Sequence, residues 1–283
     1  MGRNPFNVLK FRTHVLITFL LSYSLVVTLY VILGYVGLLP WPLEDRLWQP
    51  VNSMLIFGIM CTTLLVAGQQ AGLNLKRLFG HAPHFPWGYG LLLITSMFIF
   101  SLSSSLLLFY CISFFAPGFV EARLSESLLN VETSVPQLYR YLMLFVAIIF
   151  APIAEEFIFR GVLLQRWAVR WNLPIGILLS SVLFGILHFN NPLGLTMFGV
   201  IMALLYIRTR SLWVPILAHA LNNIVAVTPE LLTSTPETFD LGDFQSSWWV
   251  ALVGLCLAAP TLSHFIYNNW PKKEAQPPYF RES

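Results

Sequence analysis

Long apolar stretches alternate with short polar ones along the whole chain. A helix that crosses the ~30 Å hydrocarbon core of a bilayer needs about 20 residues, and five of the stretches comfortably reach that length. The fifth, sixth and seventh stretches are shorter, which favours helices that line a wet cavity over helices surrounded by lipid. The eight stretches span approximately 15–39, 51–73, 89–116, 138–159, 173–188, 193–207, 212–227 and 248–267.

Composition supports a membrane protein. Hydrophobic residues make up 57% of the 283 residues and charged residues only 10%, whereas a soluble domain carries about 25% charged residues. The three cysteines all fall in apolar stretches and indicate small buried side chains, not a disulfide framework. We therefore predict an all-α polytopic membrane protein in one domain, 1–283, with about eight transmembrane helices around a polar intramembrane cavity. The first stretch is expected to be a retained anchor, and the expected partners include membrane lipid but no nucleic acid.

The charged residues predict an orientation. If the N-terminus is cytoplasmic and the loops alternate sides, 13 of the 16 basic residues face the cytoplasm and nine acidic residues face the opposite side. This asymmetry agrees with the positive-inside rule, and an odd number of helices would remove it. We therefore expect both termini to be cytoplasmic. The 13 basic residues are Arg3, Lys10, Arg12, Lys76, Arg77, Arg160, Arg166, Arg170, Arg208, Arg210, Lys272, Lys273 and Arg281.

Two adjacent carboxylates, Glu155 and Glu156, lie within the fourth apolar stretch. Each charged group near the centre of a bilayer costs about 2.5–3.5 kcal/mol, so the pair needs a physical reason. Glu156 and Arg160 are four residues apart with the glutamate first, which is the favourable order for an ion pair along a helix. Glu155 points about 100° away from that face. We expect a supporting Glu156–Arg160 ion pair, a free carboxylate at Glu155 and a helix kink at Pro152.

Two further motifs place polar side chains in the short apolar stretches. His188 closes the fifth stretch in F-G-I-L-H, and H-A-L-N-N puts His219 and Asn223 on one helix face. Asn222 lies off that face and is expected to bond a neighbouring helix. Each motif alone also has a structural explanation, namely a satisfied or interfacial histidine, a polar pair that joins two helices, or charges at a helix end.

Depth in the membrane relates these polar residues to one another. At ~1.5 Å per residue from the cytoplasmic ends of their helices, Glu155, His188 and Asn223 lie roughly 16–20 Å deep, and His219 roughly 12 Å deep. The value for Glu155 requires the fourth helix to continue to about Arg166. We therefore expect the four side chains to occupy one layer near the middle of the membrane.

These residue types suit hydrolysis by an activated water. A carboxylate near a histidine can deprotonate water, and a histidine with an asparagine amide can stabilise the oxyanion formed at a carbonyl. The chain contains no G-x-S-x-G and no H-E-x-x-H motif, so a serine hydrolase or a zinc protease of those types lacks its motif. A metal site made of Glu155, Glu156, His188 and His219 is the second hypothesis. It ranks lower because Glu156 is expected to pair with Arg160; our first hypothesis includes no cofactor and no metal.

The three motifs together, E-E-F-I-F-R, F-G-I-L-H and H-A-L-N-N, resemble those of the CAAX protease and bacteriocin-processing family (CPBP, or Abi) over about 140–227. The resemblance implies a multi-helix membrane protein whose characterised relatives are glutamic-type intramembrane endopeptidases. It further implies that Glu155 activates water with help from His188, and that His219 and Asn223 stabilise the oxyanion. Glu156 and Arg160 would complete the first motif and Phe184 the second. Some enzymes of the family cut prenylated CAAX proteins, so a peptide or protein substrate, with or without a lipid, is implied.

Three functions compete at this stage. The first is an endopeptidase that cuts a membrane-associated peptide near a cavity open to the cytoplasm or the bilayer. The second is a non-catalytic scaffold or immunity-type protein of the same family that keeps the motifs as a polar core. The third is a transporter with a proton relay, although the chain lacks the internal repeat of many transporters. The compact chain favours a bacterial inner membrane or an organellar membrane.

Overall fold

The computed structural model folds into long helices, and no strand occurs within the ranges that it describes. The predicted fold class, an all-α polytopic membrane protein, is confirmed. The described residues are 4–8, 10–36, 46, 48–81, 84–133, 135–232 and 240–280. Within those ranges the eight long helices are α1 (Phe11–Tyr35), α2 (Trp48–Gln70), α3 (Trp87–Ser113), α4 (Pro136–Arg170), α5 (Leu173–Leu187), α6 (Pro192–Thr209), α7 (Trp213–Leu232) and α8 (Trp248–Asn269).

Each long helix corresponds to one of the predicted apolar stretches. Six of them, α1 to α4, α6 and α8, are long and apolar enough to cross a membrane, counted over the described part of the chain. Helix α5 is a shorter apolar helix of 15 residues, and α7 carries His219, Asn222, Asn223 and Glu230 among its apolar residues. The chain is therefore an integral membrane protein. Its shortest long helix, α5, ends just before His188, and the most polar of the motif-bearing residues lie on α4 and α7.

Short helical segments lie before, between and after the long helices. They are Pro5–Val8, Leu75–Phe79, Pro117–Leu124, Leu241–Ser246 and the 3-10 turn Pro278–Phe280. Several residues used in the charge count, Arg3, Glu44, Asp45, Glu237 and Arg281, lie outside the described residues, as does the end of the first predicted stretch at 37–39.

Helix α4 departs from regular α-helical geometry around the two carboxylates. Two π-helical segments, Val146–Phe150 and Phe157–Leu164, flank the α-helical segment Ala151–Glu156. Pro152 lies in the first turn of that segment and has no N–H to donate to the preceding turn. The wider π-helical turns therefore lie on both sides of the proline-containing segment. Such turns are frequent at functional sites.

Close packing of α5 against α6 forms the centre of the bundle, and α3 packs against α8. Gly199 of α6 allows the first of these contacts, because a Cβ there would lie only 2.8 Å from the Cα and Cβ of Ser181. The main core contains buried side chains of α4, α5, α6 and α7. This packing holds the three motif-bearing helices α4, α5 and α7 around one region.

Candidate active site

One cavity of about 220 Å³ brings the predicted site residues together. Glu155 from α4, His188 from the end of α5, and His219 and Asn223 from α7 all line it. Glu156 and Arg160 are buried directly behind its wall. The full lining is Leu128, Ala147, Glu155, Phe184, His188, Leu195, Phe198, His219, Asn222, Asn223, Ala226 and Val227.

The ion pair predicted between Glu156 and Arg160 is present. Arg160 Nη1 donates to Glu156 Oε1 over 2.8 Å, and the two side chains are 1% and 0% exposed. Arg160 Nη2 also donates to the Gly199 carbonyl over 3.3 Å, and its guanidinium lies 4.8 Å from the centre of the Phe184 ring. The two charges are therefore paired within the packed core, although Glu156 Oε2 has no hydrogen-bond partner among the described residues.

His219 is bound to the same carboxylate, which the sequence did not reveal. Its Nδ1 lies 2.9 Å from Glu156 Oε1. A carboxylate oxygen that accepts from Arg160 is an acceptor toward His219 as well. The Nδ1 of His219 therefore carries a proton and donates it in a hydrogen bond to Glu156 Oε1. The opposite nitrogen, Nε2, faces Glu155 Oε2 at 3.9 Å, which is too long for a direct hydrogen bond. His219 thus stands between the two carboxylates, fixed by Glu156 and facing Glu155.

Glu155 differs from its neighbour in having no arginine or lysine partner among the described residues. Its side chain is buried, with 6% of the residue exposed, yet it borders the cavity. No direct hydrogen bond to its carboxylate occurs among the described residues, and His219 Nε2 lies 3.9 Å from Glu155 Oε2. A buried carboxylate that faces a cavity without a fixed donor is available to bind a water or a substrate group.

His188 binds the backbone through Nδ1, which leaves Nε2 for the cavity. Its Nδ1 lies 2.8 Å from the carbonyl oxygen of Phe184, and only the nitrogen can be the donor of that bond. The Phe184 ring packs against the imidazole with centres 4.5 Å apart. In the neutral imidazole the unprotonated nitrogen is then Nε2, so His188 offers a proton acceptor to the cavity that it lines.

Both asparagines of α7 line the cavity, although only Asn223 was predicted to be a site residue. Asn223 Nδ2 donates to the Ala147 carbonyl over 2.7 Å, which fixes the orientation of the amide and leaves its second N–H for the cavity. Asn222 was expected to bond a neighbouring helix, and this prediction was wrong. It lines the cavity beside Asn223, its Nδ2 lies 3.4 Å from Asn223 Oδ1, and its buried Oδ1 has no partner among the described residues.

The metal hypothesis finds no arranged ligand set. Among the described residues, no group of three or more His, Cys, Asp or Glu side chains is placed to hold a metal ion. Glu156 Oε1, one of the expected ligands, already accepts hydrogen bonds from Arg160 and His219. The residues present therefore do not fit a two-carboxylate, two-histidine metal site.

The motif-bearing helices match a known family model. Residues 137–225 match the family model described as "Type II CAAX prenyl endopeptidase Rce1-like". The predicted family resemblance is confirmed. The matched residues extend from α4 into α7 and contain all seven predicted site residues, from Glu155 to Asn223.

A curated relative matches part of the chain. The "Putative membrane peptidase YdiL" of Bacillus subtilis (strain 168) is 37% identical over 113 residues, which are 39% of this chain and 44% of the relative. The alignment thus spans less than half of the relative's length. No solved structure matches the chain. The family model and the curated relative are thus both described as peptidases, and both match only part of this chain.

Proposed function

We propose that the protein is an intramembrane endopeptidase of the glutamic type, which hydrolyses a peptide bond of a membrane-associated substrate in the cavity between α4, α5 and α7. The observation that most supports this proposal is the meeting of Glu155, His188, His219 and Asn223 at one cavity. The match to CAAX endopeptidases and the membrane peptidase of Bacillus subtilis supports the same reaction class. The substrate is a peptide or protein, and a prenyl or other lipid group is one option for its anchor.

The reaction begins with a water held between Glu155 and His188. Glu155 takes a proton from this water as the oxygen attacks the scissile carbonyl carbon, and His188 Nε2 accepts the other hydrogen bond of the water. The tetrahedral intermediate then collapses, the C–N bond breaks, and the protonated Glu155 gives its proton to the leaving amine. The products are a new carboxyl group and a new amino group.

The oxyanion of the intermediate is stabilised by His219 and Asn223. Because His219 Nδ1 donates to Glu156, its Nε2 is a donor only in the imidazolium form. Asn223 supplies its second amide N–H, and each such donor typically contributes about 10²–10³ in turnover.

Asn222 is proposed to position the substrate. Its Oδ1 is buried at the cavity without a partner among the described residues, and an unsatisfied buried acceptor costs about 1–3 kcal/mol. A backbone N–H of a bound peptide would satisfy it. Asn222→Ala would then weaken substrate binding and raise KM while leaving kcat within a few fold.

The organisation of the whole chain is part of the same proposal. The chain 1–283 forms one integral membrane domain, with a catalytic core at about 140–227. Both termini lie in the cytoplasm of a bacterial inner membrane or of an organellar equivalent, as the basic residues indicate.

A purified-protein assay tests the proposal. The protein in detergent is incubated with a mixed peptide library, with and without a prenyl group, and products are identified by mass spectrometry. We expect cleavage by the wild type and none by His188→Ala or His219→Ala. His264→Ala, which alters an exposed histidine of α8, is the matched control and should cleave normally.

Two other results would replace the proposal. If the wild type cleaves no library member while it still binds one, the scaffold or immunity-type function is favoured. If prolonged chelation abolishes cleavage and zinc restores it, the metal-dependent alternative is favoured instead.

A further inference from the structure

The two ends of the helical bundle carry opposite charge. Contacts tie the basic segments to one another: Leu212 N donates to the Phe79 carbonyl, and Arg166 Nη1 donates to the Phe6 carbonyl. This basic face holds ten of the described basic residues, and the positive-inside rule makes it cytoplasmic. The described acidic residues of the opposite face are Glu121, Glu126, Glu132, Glu230, Asp240 and Asp243; those of the basic face are Lys10, Arg12, Lys76, Arg77, Arg166, Arg170, Arg208, Arg210, Lys272 and Lys273, together with Glu274.

The half of the bundle next to the basic face is closed. Residues 156–165 of α4, ~15 Å of helix, are all buried, and so are residues 198–207 of α6. At the end of this region Gln165 Nε2 donates to Tyr206 Oη over 3.0 Å, and Tyr206 Oη donates to the Leu78 carbonyl over 3.0 Å. A peptide therefore has no route from the basic face to Glu155 through this packing.

The opposite half contains the cavity. The turn between α5 and α6 lies partway along the bundle and does not reach the acidic face. Asn191 in this turn donates through Nδ2 to Ser101 Oγ over 2.7 Å and to the Ser101 carbonyl over 3.0 Å. Ser101 lies near the middle of α3, so residues 102–113, ~18 Å of helix, continue beyond the turn. The cavity, which begins at His188 just before this turn, thus lies below a space on the acidic side.

Residues 117–130, which we call the roof, cover that space. Leu128 of the roof lines the cavity. Glu230 at the end of α7 holds the roof, because its carboxylate accepts hydrogen bonds from the backbone N–H groups of Leu128 (3.2 Å) and Leu129 (2.8 Å) and from Ser127 Oγ (2.5 Å). The Glu230 carboxylate thus anchors the segment that separates the cavity from the acidic face, together with Tyr139 Oη, which donates to the Leu128 carbonyl over 3.2 Å.

We propose that substrate enters the cavity from the acidic, non-cytoplasmic face, beneath the roof. The substrate class is then an exported peptide, or the extracytoplasmic segment of a membrane-anchored one, and not a peptide that ends in the cytoplasm. This inference rests on the proposed peptidase function for its meaning, but the entry route can be measured without any cleavage.

Cysteine labelling from each side of the membrane tests the route. Cys61, Cys111 and Cys256 are first replaced by Ala, and single cysteines are introduced as Ala226→Cys in the cavity wall, Lys272→Cys on the basic face and Glu132→Cys on the acidic face. A small anionic methanethiosulfonate is applied to spheroplasts and to inverted membrane vesicles. Because a charged reagent does not cross the hydrocarbon core, Ala226→Cys should react about tenfold or more faster in spheroplasts, like Glu132→Cys, while Lys272→Cys reacts only in the vesicles.

The outcomes separate this inference from the peptidase function. Reaction of Ala226→Cys mainly in inverted vesicles, or in neither preparation, overturns the entry route whether or not the protein cleaves peptides. If Ala226→Cys does not accumulate, Leu128→Cys in the roof replaces it with the same expected result. Side-specific labelling together with an absence of all cleavage would uphold the route and sink the peptidase proposal instead.

Discussion

The two halves of the bundle treat the same kind of charged residue in opposite ways. In the half next to the basic face, Glu156 is fully buried and bound by Arg160 and His219. In the cavity half, Glu155, the adjacent residue, has no hydrogen bond among the described side chains and borders open space. Two adjacent buried glutamates thus have different roles. Glu156 is held by hydrogen bonds and stabilises the packing, whereas Glu155 is left free to bind water or substrate.

The largest effect is expected where the packed half loses its cation. Arg160→Met leaves Glu156 buried without its ion pair, and breaking such a pair costs about 3–5 kcal/mol. We expect a large drop in the midpoint of thermal unfolding in detergent. Arg170→Met, at an exposed arginine of the same helix, is the control and should unfold near the wild-type temperature. Equal midpoints for the two variants would show that the packed half does not depend on this pair.

The cavity half should respond in turnover instead of stability. Asn223→Ala removes a donor aimed at the oxyanion, so kcat should fall by about 10²–10³ while the unfolding midpoint changes little. Asn268→Ala, at an exposed asparagine of α8, should have wild-type kinetics. If Asn223→Ala cleaves at the wild-type rate and is instead strongly destabilised, Asn223 belongs to the structural half of the comparison.

The smallest effect is expected at the roof. Glu230→Gln replaces a carboxylate that accepts three hydrogen bonds by an amide, and hydrogen bonds to charged groups are worth about twice those between neutral groups. We expect the roof to open more often, so that Ala226→Cys reacts several-fold faster, with about 1 kcal/mol or less lost in stability. Glu121→Gln, in the roof but exposed, should leave the reaction rate unchanged; an equal acceleration would remove the special role of Glu230.

Sequence patterns predicted the parts of this molecule that depend on local spacing. Apolar stretches located all eight long helices, and the four-residue spacing identified the Glu156–Arg160 pair, because both follow from helix geometry. The bond between His219 and Glu156 could not be predicted, since it joins residues 63 positions apart and depends on how α7 packs against α4.

Other misses have the same origin. Regular spacing along α7 placed Asn222 off the face shared by His219 and Asn223, yet Asn222 also lines the cavity. The cavity extends to that side of α7 because Leu128 of the roof forms part of its wall. Two π-helical segments flank the part of α4 that contains Pro152, and sequence spacing does not indicate them; the kink expected at Pro152 stays a prediction. Such features arise from tertiary packing and can be read only from the folded chain.

The central claim is that the Glu155 carboxylate, which no hydrogen bond holds among the described residues, activates water for peptide hydrolysis, and one comparison tests it most directly. Purified Glu155→Gln and Glu132→Gln are assayed side by side on a peptide that the wild type cleaves, after their unfolding midpoints are shown to match. A positioned general base contributes about 10²–10⁴-fold to the rate. The turnover of Glu155→Gln should therefore fall by at least about 10²-fold, whereas Glu132→Gln should cleave at the wild-type rate. Cleavage by Glu155→Gln at the wild-type rate would contradict the account.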